Sequence, residues 1–349
     1  MFKPRLATLI LPLLAMFLPV QAQNLDLRRL LDLEGNWKFE LGDKLEWSKP
    51  TFDDSKWDVI YVPSKWEDEG YPGYDGYAWY RKHFKVDSRF RETLVYLCLG
   101  YIDDVCEVYL NGHMIGFTGQ FPPDFITGAG VAFRCHVPED YLLEGSDNVL
   151  AVRVYDYYQE GGIKHGDVGF YGLRDYVEPD YDLSGKWKFK IGDDENWSKE
   201  SFDDSKWEQI KVPLYWEAQG HRDYDGFAWY RLKFNVPPGL AGKRLILLLG
   251  RIDDVDEAYL NGELIGRTGT MRRSMGRANL TTEWQQLRAY AIRPSQLKEG
   301  ENTIAVRVLD VWLHGGIYDG PVGLIQRDHY KPPRSRARSI WDLLEELFR

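Results

Sequence analysis

Beyond residue 20 the 349-residue chain has no long apolar run, so it offers no second segment near the about 20 residues that cross a bilayer. Cysteine is scarce, with only Cys98, Cys106 and Cys135. Basic residues are in deficit, 44 Lys and Arg against 54 Asp and Glu, for a net charge of −10. That balance excludes a nucleic-acid partner, because phosphate binding needs a basic surface. A Gly-x-Ser-x-Gly elbow and a His-Glu-x-x-His zinc motif are both missing, which removes two common hydrolytic machineries. No pattern for a helix of three or more turns precedes the C-terminal tail.

What the chain does have is a copy of itself. Asp32 to Gly119 recurs without a gap as Asp182 to Gly269, with more than half of the aligned positions identical. The period is far longer than the about 20–50 residues of a solenoid unit, so each copy is a domain. Each is large enough for its own core without disulfide staples. The cysteines all fall in the first copy, where the second has Leu248 and Asp256 at the first two matching places. A disulfide common to both copies is thereby excluded.

The ends read differently. Lys3 and Arg5, the apolar Leu6–Val20 and the small-residue step ending at Ala22 form an export-signal pattern with cleavage near Ala22. The expected product is extracytoplasmic, with no transmembrane segment. The expected divisions are a signal over 1–22, domains over 23–178 and 179–328, and a tail over 329–349. In that tail a basic, proline-interrupted linker leads to Ser339–Arg349. There Ile340, Leu344, Leu347 and Phe348 share one helical face, with Ser339 suited to its start. Such a helix either folds back on the second domain or docks a partner protein.

Within a copy the pattern is that of strands. Asn111-Gly112 and Asn261-Gly262 sit between alternating arms, the signal for tight hairpins. Arg81–Val86, Thr93–Leu99, Asn148–Val154 and Asn302–Val308 read as further strands. Many short strands separated by Gly, Pro and Asp turns indicate an all-β sandwich, most simply a jelly roll. Ten of the 13 tryptophans are matched between copies. Trp37, Trp47 and Trp57 are expected to close the sandwich. Trp66 and Trp79, set among polar groups and glycines, are divided between packing and recognition.

The ordered series Phe52-Asp-Asp-Ser-x-Trp57, Val62-Pro63-x-x-Trp66-Glu67-x-x-Gly70, Ala78-Trp79-Tyr80-Arg81, Ile102-Asp103-Asp104 and Tyr109-x-Asn111-Gly112 covers nearly all of each copy. It resembles the N-terminal sugar-binding jelly-roll domain of family 2 glycoside hydrolases, the β-galactosidase and β-glucuronidase group. It is also similar to the related domain within sialate O-acetylesterases. The resemblance implies two tandem galactose-binding-like jelly rolls. It does not bring the chemistry along: a (β/α)8 barrel of about 250 residues has no room here, and no Gly-Asp-Ser nucleophile setting occurs.

Candidate ligand-binding residues follow from what a sugar presents, apolar C–H faces and hydroxyl rings that call for flat rings beside charged hydrogen-bonding groups. Trp66, Glu67, Asp75, Trp79 and Arg81 offer these, with Trp216, Glu217, Asp225, Trp229 and Arg231 in the second copy. The resemblance implies that the loops Asp156–Gly162 and Asp310–Gly316 also approach the sugar, which adds Asp156 and Asp310. Arg81 and Arg231 equally suit buried ion pairs. Adjacent residues of a strand face opposite ways, so Asp103-Asp104 and Asp253-Asp254 are not expected to cooperate. Asp104 and Asp254 divide among backbone capping, a sugar hydroxyl and a structural Ca2+, although no dense Asp-x-Asp-x-Asp loop appears. No other cofactor is expected. Arg267, Arg272, Arg273, Arg277 and Arg288, where the copies diverge, either favour an acidic sugar or an anionic polymer, or form a solvated basic loop.

Three functions fit. The first is a secreted non-catalytic protein binding oligo- or polysaccharide through both copies. The others are an accessory part of a family 2-type glycosidase system and an extracytoplasmic protein-interaction scaffold.

Overall fold

The computed structural model describes residues 25–271 and 282–332. The expected signal segment and the Ser339–Arg349 helix lie outside the described residues, as do Arg272, Arg273 and Arg277. Among the described residues the only helical elements are single 3-10 turns of three or four residues.

The first copy forms β1 (Leu27–Asp32), β2 (Gly35–Leu41), β3 (Asp58–Val62), β4 (Gly76–Phe84), β5 (Val95–Asp103), β6 (Val105–Leu110), β7 (His113–Thr118), β8 (Ala132–His136), β9 (Asn148–Asp156) and β10 (Gly162–Leu173). The second forms β11 (Tyr181–Asp182), β12 (Gly185–Ile191), β13 (Glu208–Val212), β14 (Gly226–Asn235), β15 (Leu245–Asp253), β16 (Val255–Leu260), β17 (Glu263–Thr268), β18 (Leu287–Ile292), β19 (Glu301–Asp310) and β20 (Gly316–Gln326).

Each copy is a sandwich of two antiparallel sheets with the same topology. In the first, a six-stranded sheet ordered β3-β2-β4-β9-β6-β7 faces a four-stranded sheet ordered β1-β10-β5-β8. In the second, β13-β12-β14-β19-β16-β17 faces β11-β20-β15-β18. Asn111 and Gly112 take φ of 51° and 85°, and Asn261 and Gly262 take 53° and 85°. These are the positive values that a two-residue hairpin turn requires. The Asn111 side chain also reaches back to the Val149 amide at 2.9 Å and to Asn148 at 2.8 Å, locking the hairpin onto β9.

Each sandwich encloses one core, with Trp37, Phe39, Trp66 and Tyr80 among its rings in the first and Trp187, Phe189, Trp216 and Tyr230 in the second. A smaller apolar layer lies on the other side of each six-stranded sheet. There the segment from Trp47 to Trp57 folds back over Trp79, Tyr109 and Ala151, and the second copy repeats it with Trp197, Trp207 and Trp229. All ten paired tryptophans are thus buried, each indole delivering a large apolar area.

Cys98, Cys106 and Cys135 are free thiols. Tyr290 stands on the strand matching that of Cys135, and its hydroxyl donates to Asp256 at 2.6 Å. Arg288 donates to the same carboxylate at 2.8 Å. The second copy therefore fills with a buried polar network the space that the first fills with small thiols.

The two sandwiches pack against each other. Phe117 stacks on His314 and meets Tyr215 edge-on. The Tyr96 hydroxyl donates to Asp319 at 2.9 Å, and the Gln120 amide to Asp223 at 3.1 Å. Arg222 pairs with Glu107, and Lys211 with Asp140.

Candidate functional site

One loop recurs at the same end of each sandwich, running from the last residue of β9 or β19 into the following strand. Asp156 begins the first, fully buried, with Oδ1 accepting the Tyr158 N–H at 3.1 Å. Asp310 begins the second, with Oδ1 accepting the Trp312 N–H at 2.9 Å. The other oxygen of each carboxyl has no hydrogen-bond partner. Burial pushes Asp156 up to about 7, with Asp104, Asp103 and Asp75 adding to the rise. Burial pushes Asp310 up to about 8, helped by Asp225 and Asp254. At neutral pH the Asp156 carboxyl is about half protonated and that of Asp310 mostly protonated, so both are able to donate as well as accept.

The loop is held on three sides. Asp104 accepts the Tyr157 N–H at 3.0 Å and the Thr127 hydroxyl at 2.5 Å, and Asp254 accepts the Val311 N–H at 3.1 Å. Backbone capping is therefore what these two side chains do. Gln159 and Leu313 turn the chain with φ of 80° and 65°. From beneath, the indole of Trp66 lies so close to Gly161 that a Cβ there would stand 2.0 Å from the ring, and Gly315 meets Trp216 at 2.1 Å in the same way.

What the loop displays is aromatic. Tyr157 and Tyr158 are 64% and 66% exposed, and Phe125 stacks on Tyr157 with centroids 5.2 Å apart. Trp312 holds the position of Tyr158 in the second copy and is 37% exposed. The family resemblance pointed to this loop, but the sequence reading missed its rings. The Tyr-Tyr pair directly after Asp156 was the available signal.

The residues expected to bind divide sharply. Trp66, Trp79, Trp216 and Trp229 are fully buried, so none presents a ring face to a ligand, contrary to their proposed use as platforms. The Trp79 indole donates to Asp43 at 3.1 Å and the ring stacks on Tyr109. The Trp229 indole donates to Asp193 at 3.2 Å. Trp66 donates to the Tyr74 carbonyl at 3.1 Å and props the loop. Arg81 is fully buried, with its guanidinium on Asp54 at 2.6 Å and on the carbonyls of Trp47, Lys49 and Phe52. Arg231 repeats this with Asp204 at 2.7 Å. Both arginines are the buried partners that had been the alternative. Glu67 lies beside the loop, accepting the Gly161 N–H at 3.2 Å, while Asp75 and Asp225 are exposed near it.

The adjacent aspartates influence each other's protonation. The Asp103–Asp104 and Asp253–Asp254 peptide bonds are both cis. Burial raises Asp253 well above the usual carboxylate range, with Asp254 adding to the rise. Burial likewise raises Asp103, against the pull of the Lys164 ammonium. Among the described residues no three His, Cys, Asp or Glu side chains are grouped to hold a metal ion. Arg288 is also unavailable to an acidic sugar: fully buried, it donates to the carbonyls of Ile252 and Asp254, each at 2.8 Å.

The two loops have different surroundings. The first is bordered by charged pairs, Lys65 with Glu160 and Lys164 with Asp103. The second faces the first sandwich across a cavity of about 410 Å3. Its floor includes Glu217, Asp225 and Trp312, and its roof includes Phe117, Phe121 and Asp124. Tyr215 and His314 stand where the first copy has Lys65 and Glu160. Divergence between the copies at these places is accounted for by docking.

The profile of the β-galactosidase second all-β domain matches residues 41–160. A β-galactosidase of Bacteroides ovatus is 29% identical over 158 residues, covering 41% of this chain and 17% of that enzyme. A β-galactosidase of Thermoanaerobacter pseudethanolicus is 29% identical over 133 residues, covering 36% of this chain and 17% of that enzyme. Among solved structures, a Bacteroides uniformis β-glucuronidase aligns over 80% of this chain and 27% of its own, with 16% identity and a TM-score of 0.36. The chain thus spans about a sixth of the curated enzymes it matches. The likeness is to non-catalytic all-β domains of family 2 β-galactosidases and β-glucuronidases.

Proposed function

We propose that the protein is a non-catalytic carbohydrate-binding protein with two tandem galactose-binding-like jelly rolls, exported through its N-terminal segment. One observation carries the reading: the same loop in both copies sets a buried carboxyl oxygen without a partner beside solvent-facing rings. A neutral polyol satisfies both, its hydroxyl pairing with the orphan oxygen and its C–H face lying on an aromatic ring. The likeness to the all-β domains of β-galactosidases supports a saccharide as the ligand class, although a fold alone does not assign function.

Binding without hydrolysis is favoured by how the carboxylates are used. A retaining glycosidase needs two carboxyls about 5 Å apart across the scissile bond. Here Asp104 and Asp254 are tied to loop amides. The alternative, an accessory role beside a separate family 2-type hydrolase, uses the same loops and the same ligand class.

The test is a glycan array on the full chain with Asp156→Asn, Tyr158→Ala and Trp312→Ala variants. Binding that drops about tenfold or more in the tyrosine variant, as expected for losing a stacked ring worth about 1.5 kcal/mol, supports the reading. Binding unaffected by all three variants overturns it.

A further inference from the structure

The cavity between the sandwiches differs from the open first loop in one respect, its charge. Its wall carries five carboxyl side chains, Glu107, Asp124, Glu217, Asp223 and Asp225 among them all, against the single guanidinium of Arg222. That guanidinium is already paired with Glu107. Asp223 takes only a neutral amide, from Gln120. Glu217 is the telling member: it is 5% exposed, it lines the cavity, and neither of its carboxyl oxygens has a hydrogen-bond partner. In the first copy Glu67 satisfies its oxygens with the Gly161 N–H; here the matching Gly315 N–H stands near Glu217 but outside bonding geometry.

A buried, unpartnered carboxyl is destabilising, most of all when ionised. It is tolerated where a ligand supplies what the protein withholds. Burial pushes Glu217 well above the ordinary glutamate range, against a weaker pull from the amides of Glu217 and Gly315 and the Trp216 indole, none of which meets bonding geometry. A cation entering beside it restores the ionised form and releases the proton to solvent. A volume of about 410 Å3 is near the low end for small-molecule sites, about 300–1,000 Å3. A single lysine side chain underfills it. The Trp312 ring on its wall suits the apolar face of a pyranose.

We propose that this cavity is a second saccharide site, selective for a sugar ring that bears a protonated amine. It rests on the carbohydrate-binding reading and names the ligand class of the second copy. The acidic sugar suggested by arginine content is disfavoured here, since a uronate would meet an excess of carboxylates at short range.

The experiment is calorimetric titration of the full chain at low salt with three β-linked disaccharides: glucosamine with free amines, its N-acetylated counterpart, and one containing a uronate. The amine form is expected to bind about tenfold more tightly than the acetylated form, the difference of one charge-assisted hydrogen bond. Its binding heat should vary with the ionisation enthalpy of the buffer, reporting proton release. Glu217→Gln should abolish both the preference and the buffer dependence. Asp225→Asn, at an exposed position, provides a second variant that keeps the core intact and should reduce the preference.

Equal binding of the three sugars overturns the proposal, as does a preference that survives in Glu217→Gln. Glu217-dependent binding of oligolysine without binding of amino sugars also overturns it, in favour of a protein ligand. If glycan binding that depends on Tyr158 persists while the amine preference is missing, this inference alone fails. If no saccharide of any charge binds, the proposed function fails with it.

Discussion

The ring of Phe117 in the first sandwich lies on the imidazole of His314 in the second, centroids 4.4 Å apart and planes 16° from parallel. Across the repeat the corresponding residues are Arg267 and Glu160. The stacking is therefore a feature of this one junction, made by replacing charged side chains with flat ones. Phe117→Arg, which installs the other copy's residue, should uncouple the domains. Differential scanning calorimetry is expected to show two separated transitions where the parent chain shows one, with the junction weakened by about 1–3 kcal/mol.

The same histidine gives a pH dependence. Burial lowers His314 from its ordinary value to about 4. The unfolded chain takes up a proton near pH 6.5 that the folded junction refuses. Stability from this group is therefore full above pH 6.5 and is lost as pH falls toward 4. The difference in melting temperature between the parent and His314→Gln should narrow or change sign across that window. A constant difference from pH 7 to pH 4 would refute the assignment.

Asp310 has the opposite slope. Its folded pKa is raised to about 8 by burial. Its stability contribution is full below the unfolded aspartate range and lost as pH rises toward 8. Asp310→Asn keeps an acceptor for the Trp312 N–H and removes the charge. It should stabilise by about 1–3 kcal/mol at pH 8 and by little at pH 4, measured by urea denaturation at both values.

Arg81 and Arg231 anchor the turns that cover each six-stranded sheet. Arg81→Met leaves Asp54 and three carbonyls without their donor and should cost about 3–5 kcal/mol. Arg81→Lys should recover little, because one ammonium cannot reproduce the planar fork. Loss of stability without loss of specific glycan binding in the remaining folded fraction is the expected pattern.

Gly161→Ala would drive a Cβ into the Trp66 ring, 2.0 Å away. The loop must move, at about 1–3 kcal/mol for overpacking, and the proposed glycan binding at Tyr157 and Tyr158 should be lost. Gly130→Ala, where no atom lies within 4 Å but φ is +83°, controls for backbone strain alone.

Much of the fold was legible because its signals are local. Asn111-Gly112 specifies a hairpin from two residues, and the alternation in β6 and β9 follows from the pleat. The loop beginning at Asp156 was pointed to by the family resemblance and not by a local pattern. The orientation of Trp79 and Arg81 was not legible. Neighbours on a strand alternate faces, but which face is covered depends on the segment from Trp47 to Trp57 folding back over the sheet. A sandwich sheet has one face on the core and usually one toward water; here both are sealed.

The repeat alone established two homologous all-β units and placed the same loop in each, because identical residues at identical spacing must fold alike. Which rings meet solvent, that Arg288 serves the interior, and that the second loop looks into a cavity roofed by the first sandwich were settled by packing. These depend on contacts such as Phe117 with His314, 197 positions apart in the chain, and no local pattern encodes the meeting of residues so distant.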